Sequence, residues 1–118
     1  MNLKKILNET ADLLESGKLA WTKNAYIMHD DESFAEVPAE ATLDNCSACA
    51  IGACALVGRL NGEIKETAIP VHAFETALED ELGARVVGDI IRFNDEYALS
   101  AKSVAEKLRT VAGLLPEA

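Results

Sequence analysis

Between Cys46 and Gly58 the chain runs for 13 residues without a single charge. No other stretch limits the fold as strongly. Thirteen residues are too few to cross a bilayer, so the run has to be covered by the rest of the chain. A helix that is apolar on every side is buried on every side. The run is therefore expected to form a central helix, capped at Thr42 or Asp44 and ending near Asn61-Gly62. Its small residues Ala48, Gly52, Ala53, Ala55 and Gly58 let neighbouring backbones come close. A dimer paired through this helix is an alternative way to cover it.

The other elements follow from periodicity. Leu3, Ile6, Leu7, Thr10, Ala11 and Leu14 recur at helical spacing, with Asn2 placed to cap the start and Gly17 to end it. Pro70 fits the first turn of a helix whose core face is Val71, Phe74, Leu78 and Leu82, closed by Gly83. Val86 to Phe93 suits a further helix with Val86, Ile90 and Phe93 inward, with a strand as the alternative. Ser100 then caps a last helix with Val104, Leu108, Val111 and Leu115 on one face. Trp21–Met28 and Phe34–Val37 are rich in aromatic and β-branched residues and suit a short β-hairpin at about 21–37, turning at Asp30–Ser33 and stopped by Pro38. With 118 residues, this is one domain spanning 1–118. The predicted fold is mainly α: four to five helices around a buried small-residue helix, with one hairpin.

Three patches, taken together, resemble a family of short bacterial and phage proteins defined only as a domain of unknown function. They are Trp21-Thr22 followed by Ala25, Cys46 through Gly52-Ala53, and Ile91-Arg92-Phe93-Asn94-Asp95 followed by Ser100, Val104 and Leu108. The chain departs from that family at Phe93, where a tryptophan is usual, and at Glu96-Tyr97-Ala98-Leu99, which stands in for a Pro-Gly turn. The resemblance implies a shared fold and no activity. Its phage setting implies an accessory or anti-defence role.

Cys46-Ser47-Ala48-Cys49 has the C-x-x-C spacing of zinc and thiol–disulfide sites, with Cys54 further on. Zinc needs four ligands, and the histidines stand apart at His29 and His72. On a helix, Cys46 and Cys49 lie about 60° apart. Buried cysteine packs much like a larger alanine, so core packing is the favoured reading. The alternative is a zinc-binding or thiol-dependent site at Cys46, Cys49 and His72. His29 precedes Asp30-Asp31-Glu32, which lacks the alternating ligand order that wraps calcium and reads as a solvated turn. Asn94-Asp95 suits a turn that bonds its own backbone. Trp21 suits a lid between the first and second helices, or an anchor for a partner. No catalytic residue and no cofactor is expected.

Charge is the remaining asymmetry. Eleven bases against 20 acids leave a net charge of −9, which argues against direct nucleic-acid binding. The stretches 24–58 and 66–84 contain eleven acids and no Lys or Arg, whereas the other 64 residues hold nine acids and eleven bases. Asp30, Asp31, Glu32, Glu36, Glu75 and Glu79, with Trp21, are therefore the candidate partner-binding residues. Side by side, the two stretches would steer toward a protein with a basic surface. The amino-terminal residues carry amides and acids where a secretory signal needs an apolar run. With three clustered cysteines, this leads to an expected cytoplasmic, non-enzymatic interaction protein with no membrane association.

Overall fold

The computed structural model describes residues 1–117. Five helices surround and include one buried helix: α1 (Leu3–Glu15), α2 (Ala50–Leu60), α3 (Pro70–Leu82), α4 (Ala84–Arg92) and α5 (Ala101–Ala112). Four short strands accompany them: β1 (Ala20–Trp21), β2 (Ile27–His29), β3 (Glu32–Phe34) and β4 (Cys46–Ala48). The chain is thus mainly α with a small sheet. No helix among the described residues is long and apolar enough to cross a membrane.

Helix α1 forms as its spacing requires. Asn2 accepts the Lys5 N–H at 3.0 Å, and the six predicted inward residues are the six that are buried. Gly17 follows at φ 78°, the left-handed geometry that closes a helix without a Cβ penalty. In α5, Ser100 and Ser103 cap each other's backbone and Val104, Leu108 and Val111 are buried; the helix ends at Ala112, so Leu115 is buried beyond it. Helix α3 begins at Pro70 and buries Val71, Phe74 and Leu78, while Leu82 is only half-buried at its end. Helix α4 turns inward on Val87 and Ile90, one position from the expected Val86 face.

Two expectations need correction. The central helix does not begin at Thr42 or Asp44: Cys46–Ala48 is a strand, and Cys49 caps α2 from an extended conformation. Cys46 and Ala48 are buried on either side of a half-buried Ser47, a period of two rather than 3.6. The strand forms because both of its edges have partners. β4 runs parallel to β1 (Trp21 opposite Ala48) and antiparallel to β2 (Ile27 opposite Ala48, His29 opposite Cys46), giving the order β1-β4-β2-β3. Backbone pairing on two sides outweighs the helical preference of a few small residues.

The hairpin is also shorter than expected. Trp21 lies outside it, on β1, and the turn is Asp30-Asp31 alone, with His29 opposite Glu32. Both turn residues have positive φ, 51° and 63°, as a two-residue turn matching the twist of its strands demands. His29 is no part of a solvated loop: it is 7% exposed, and its Nδ1 donates to the Asn45 carbonyl at 3.0 Å.

The rest of α2 follows the expectation. Ala50 through Gly58 are all buried within the chain, and only Arg59 and Leu60 at the end of α2 reach the surface. Its tightest contact is at Gly52, where any Cβ would fall on the Tyr26 carbonyl, the same oxygen that accepts the Cys49 N–H at 3.1 Å. At Gly58 a Cβ would meet side chains alone, Ile64 Cδ1 at 2.7 Å and Ile6 Cδ1 at 3.3 Å. Gly52→Ala is therefore expected to lose at least about 2–4 kcal/mol, because backbone must move, and Gly58→Ala about 1 kcal/mol. Urea unfolding of both variants checks the order; equal losses would contradict it.

Candidate functional site

The site grows from one side chain at the end of α4. After Arg92 the helix widens over Phe93–Tyr97, and the Ala98 N–H bonds back five residues to the Phe93 carbonyl at 2.8 Å. One widened turn re-aims the side chains that follow it. It turns Asn94 into the interior, at 1% exposure. Asn94 Oδ1 accepts Trp21 Nε1–H at 2.7 Å and the Ala50 N–H at 3.0 Å. Its Nδ2 donates to the Thr22 carbonyl at 3.3 Å and to Asp95 Oδ1 at 2.9 Å. Asp95 Oδ1 in turn accepts the Asn24 N–H at 2.9 Å, which fixes Asn24 at φ 61°.

Besides the bond between them, Asn94 and Asp95 bond segments distant in sequence rather than their own turn. They tie β1, the loop after it and the first residue of α2 to the α4–α5 connection. Trp21 packs against the core from the side. It is half-buried with its indole N–H given to Asn94, and Lys23 Nζ lies 5.7 Å from its ring centroid.

Beside this junction opens a pocket of about 260 Å³, lined by Asn24, Ala25, Tyr26, Cys49, Ile91 and Asp95. Cys49 borders it as the cap of α2, its Sγ accepting the Gly52 N–H at 3.4 Å. A thiol at a helix start after a strand has the placement of a reactive cysteine, and the surroundings work against it. Burial pushes the Cys49 thiol up to about 11 despite the Gly52 and Ile51 N–H groups, and the charges of Asp95 and Glu75 add to the rise. Burial likewise pushes Cys54 up to about 12. It raises Cys46 too, against the pull of the Arg59 charge, and the Cys46 thiol donates to the Thr42 carbonyl at 3.1 Å.

The alternative set of Cys46, Cys49 and His72 is not assembled: they sit on β4, at the α2 cap and, exposed, on the first turn of α3. Among the described residues no group of three His, Cys, Asp or Glu is placed to hold a metal ion.

The acids fall into two roles. Glu36 is a helix cap that its surroundings in sequence do not reveal: Ile69 has no side chain to cap α3, and Glu36 reaches across from 35 positions away. Its Oε1 accepts the Val71 N–H at 2.7 Å and its Oε2 the His72 N–H at 3.1 Å, a carboxylate held at the positive end of a helix. This contact lays the first acid-only stretch against the second. Tyr26 and Glu75 meet on the same side, with the hydroxyl 3.5 Å from Oε2, and Glu79 follows one turn on.

Asp30, Asp31 and Glu32 stand exposed at the hairpin tip, where Asp30 and Glu40 lie 3.4 and 3.7 Å from His29 Nε2. Among the described residues none of the acids in the two stretches pairs with a Lys or Arg. The ion pairs of Lys4, Lys5, Arg92 and Arg109 all involve acids from elsewhere in the chain. Arg59, which with Lys65 lies between the stretches in sequence, donates to the carbonyls of Pro38 and Ala41 at 2.8 and 2.9 Å.

The fold is a small α-rich domain in which Glu36 joins two stretches that contain no Lys or Arg, with a pocket lined by Tyr26 and Asp95. The chain belongs to DUF6197, a family of unknown function whose model matches residues 1–114. No curated protein and no solved structure matches it.

Two outcomes follow from the environments of these groups. Alkylation of Cys49 in the folded protein near pH 8 is expected to run roughly 100-fold slower than in the unfolded chain, from thiolate population alone. Peptide mapping of alkylated protein measures it, and equal rates would restore Cys49 as a nucleophile. Glu75 is raised above its ordinary value of 4.5, first by burial and then by Glu79, while the Tyr26 hydroxyl pulls it down. Its ionised form is the one the fold disfavours, so this contribution stabilises the protein at low pH and is lost as pH rises through the folded value. Glu75→Gln is expected to raise the melting temperature near pH 7, with the gain shrinking below the ordinary carboxylate range. A gain that persists in acid would refute the assignment.

Proposed function

We propose that the protein is a non-enzymatic interaction protein that binds a basic protein surface through the face formed by Asp30, Asp31, Glu32, Glu75 and Glu79. The observation that carries this reading is the Glu36 bridge to α3, which merges two stretches holding eleven acids and no Lys or Arg. Uncompensated carboxylates of one sign steer an oppositely charged partner and speed its encounter.

Burial of all three free thiols supports a binding role over thiol chemistry. The net charge of −9 speaks against direct nucleic-acid contact, and free cysteines suit a cytoplasmic setting. In a phage or mobile-element setting, the partner would be a host protein whose basic surface otherwise grips nucleic acid.

Capture of partners on the immobilised protein tests the reading. Partners bound at about 50 mM salt should be lost at about 500 mM, where screening shortens the reach of exposed charges to a few ångströms. They should also be lost with the exposed charge reversals Glu32→Lys and Glu79→Lys combined. Identical partners at both salt concentrations would refute it.

A further inference from the structure

The pocket at the Asn94 junction differs from the acidic face in having walls. Tyr26, Ala25 and Ile91 supply aromatic and aliphatic surface, Cys49 a protonated thiol, and Asp95 a carboxylate. At about 260 Å³ it falls below the range of about 300–1,000 Å³ that holds drug-sized ligands, and it suits a single side chain or fragment.

Its charge is not balanced from within. No Lys or Arg lines it. The two nearest cations in sequence are held elsewhere: the Arg92 guanidinium donates to Glu96 Oε2 at 2.8 Å and to the Tyr97 hydroxyl at 3.1 Å, and Lys23 lies over Trp21. Asp95 is also fixed in advance. Its Oδ1 takes the Asn24 and Asn94 N–H groups, each at 2.9 Å, and Oδ2 has no hydrogen-bond partner among the described residues.

We infer that this pocket seats one arginine side chain of the basic partner, its stem against Ile91 and Ala25, its guanidinium against the Tyr26 ring and Asp95. The inference rests on the proposed binding of a basic protein and names the anchor within that contact. Arginine fits better than lysine because its planar, weakly hydrated head stacks on an aromatic ring while bonding a carboxylate. An anchor in a preformed pocket, with a charged rim around it, is the arrangement that concentrates binding energy at protein interfaces.

The test uses the intact, ¹⁵N-labelled protein and two probes: an acetylated, amidated Gly-Arg-Gly peptide and its citrulline counterpart, which has the same shape and no charge. The arginine peptide is expected to shift the backbone amides of Asn24, Tyr26 and Cys49, and the citrulline peptide to leave them in place. Asp95→Asn keeps an acceptor oxygen for Asn24 and Asn94 and removes the charge; it should weaken arginine-peptide binding about tenfold. Ala25→Leu, which narrows the pocket without touching the Asn94 bonds, should weaken it comparably. Shifts confined to the hairpin and α3, or equal shifts from both peptides, overturn the pocket assignment and leave the acidic-face reading standing. Pocket shifts as expected, joined to salt-independent capture of partners, would retain the pocket and overturn the acidic face.

Discussion

The carboxamide of Asn94 is the interaction on which the arrangement depends. It sits at 1% exposure and joins segments 44 to 73 positions apart in sequence. Removing it would strand a buried amide at Ala50 and an indole N–H at Trp21, each of which costs about 1–3 kcal/mol when unpaired. The widened turn at Phe93–Tyr97 exists in register with this demand, since a regular helical turn would aim residue 94 elsewhere. The pocket is a by-product of the same geometry: the bonds that seal α2 against β1 also fix Asp95 and Asn24 at its rim.

The second constraint is the approach of Tyr26 to Gly52. Backbone contact this close brings the β1–β2 loop down on the start of α2 and leaves the Cys49 thiol beneath it. That burial explains why a cysteine in a reactive-looking position is held protonated. The same loop makes Tyr26 both a wall of the pocket and the partner of Glu75.

Much of this was legible in the residues. Helices α1, α3 and α5 announce themselves through unbroken 3.6-residue spacing, and their start signals at Asn2, Pro70 and Ser100 are local. Burial of α2 follows from its lack of charge. What escaped detection depends on partners distant in sequence. Cys46–Ala48 becomes a strand because β1 and β2 flank it, although alternation around Ser47 was a faint signal. Glu36 reads as one more surface acid until α3 arrives with an uncapped start. Asn94 reads as a turn residue because nothing in its neighbourhood reports that Trp21 and Ala50 need an acceptor. The charge partition was visible, but the contact that joins its two halves was not.

Hydrogen exchange at the Ala50 amide tests the central claim most directly. If the Asn94 junction is as rigid as its bonds imply, this amide should exchange only through global unfolding, with the same opening free energy as the core of α2, although Ala50 is the first residue of its helix and would otherwise fray. Exchange of Ala50 at a markedly lower opening free energy than the α2 core would contradict the account.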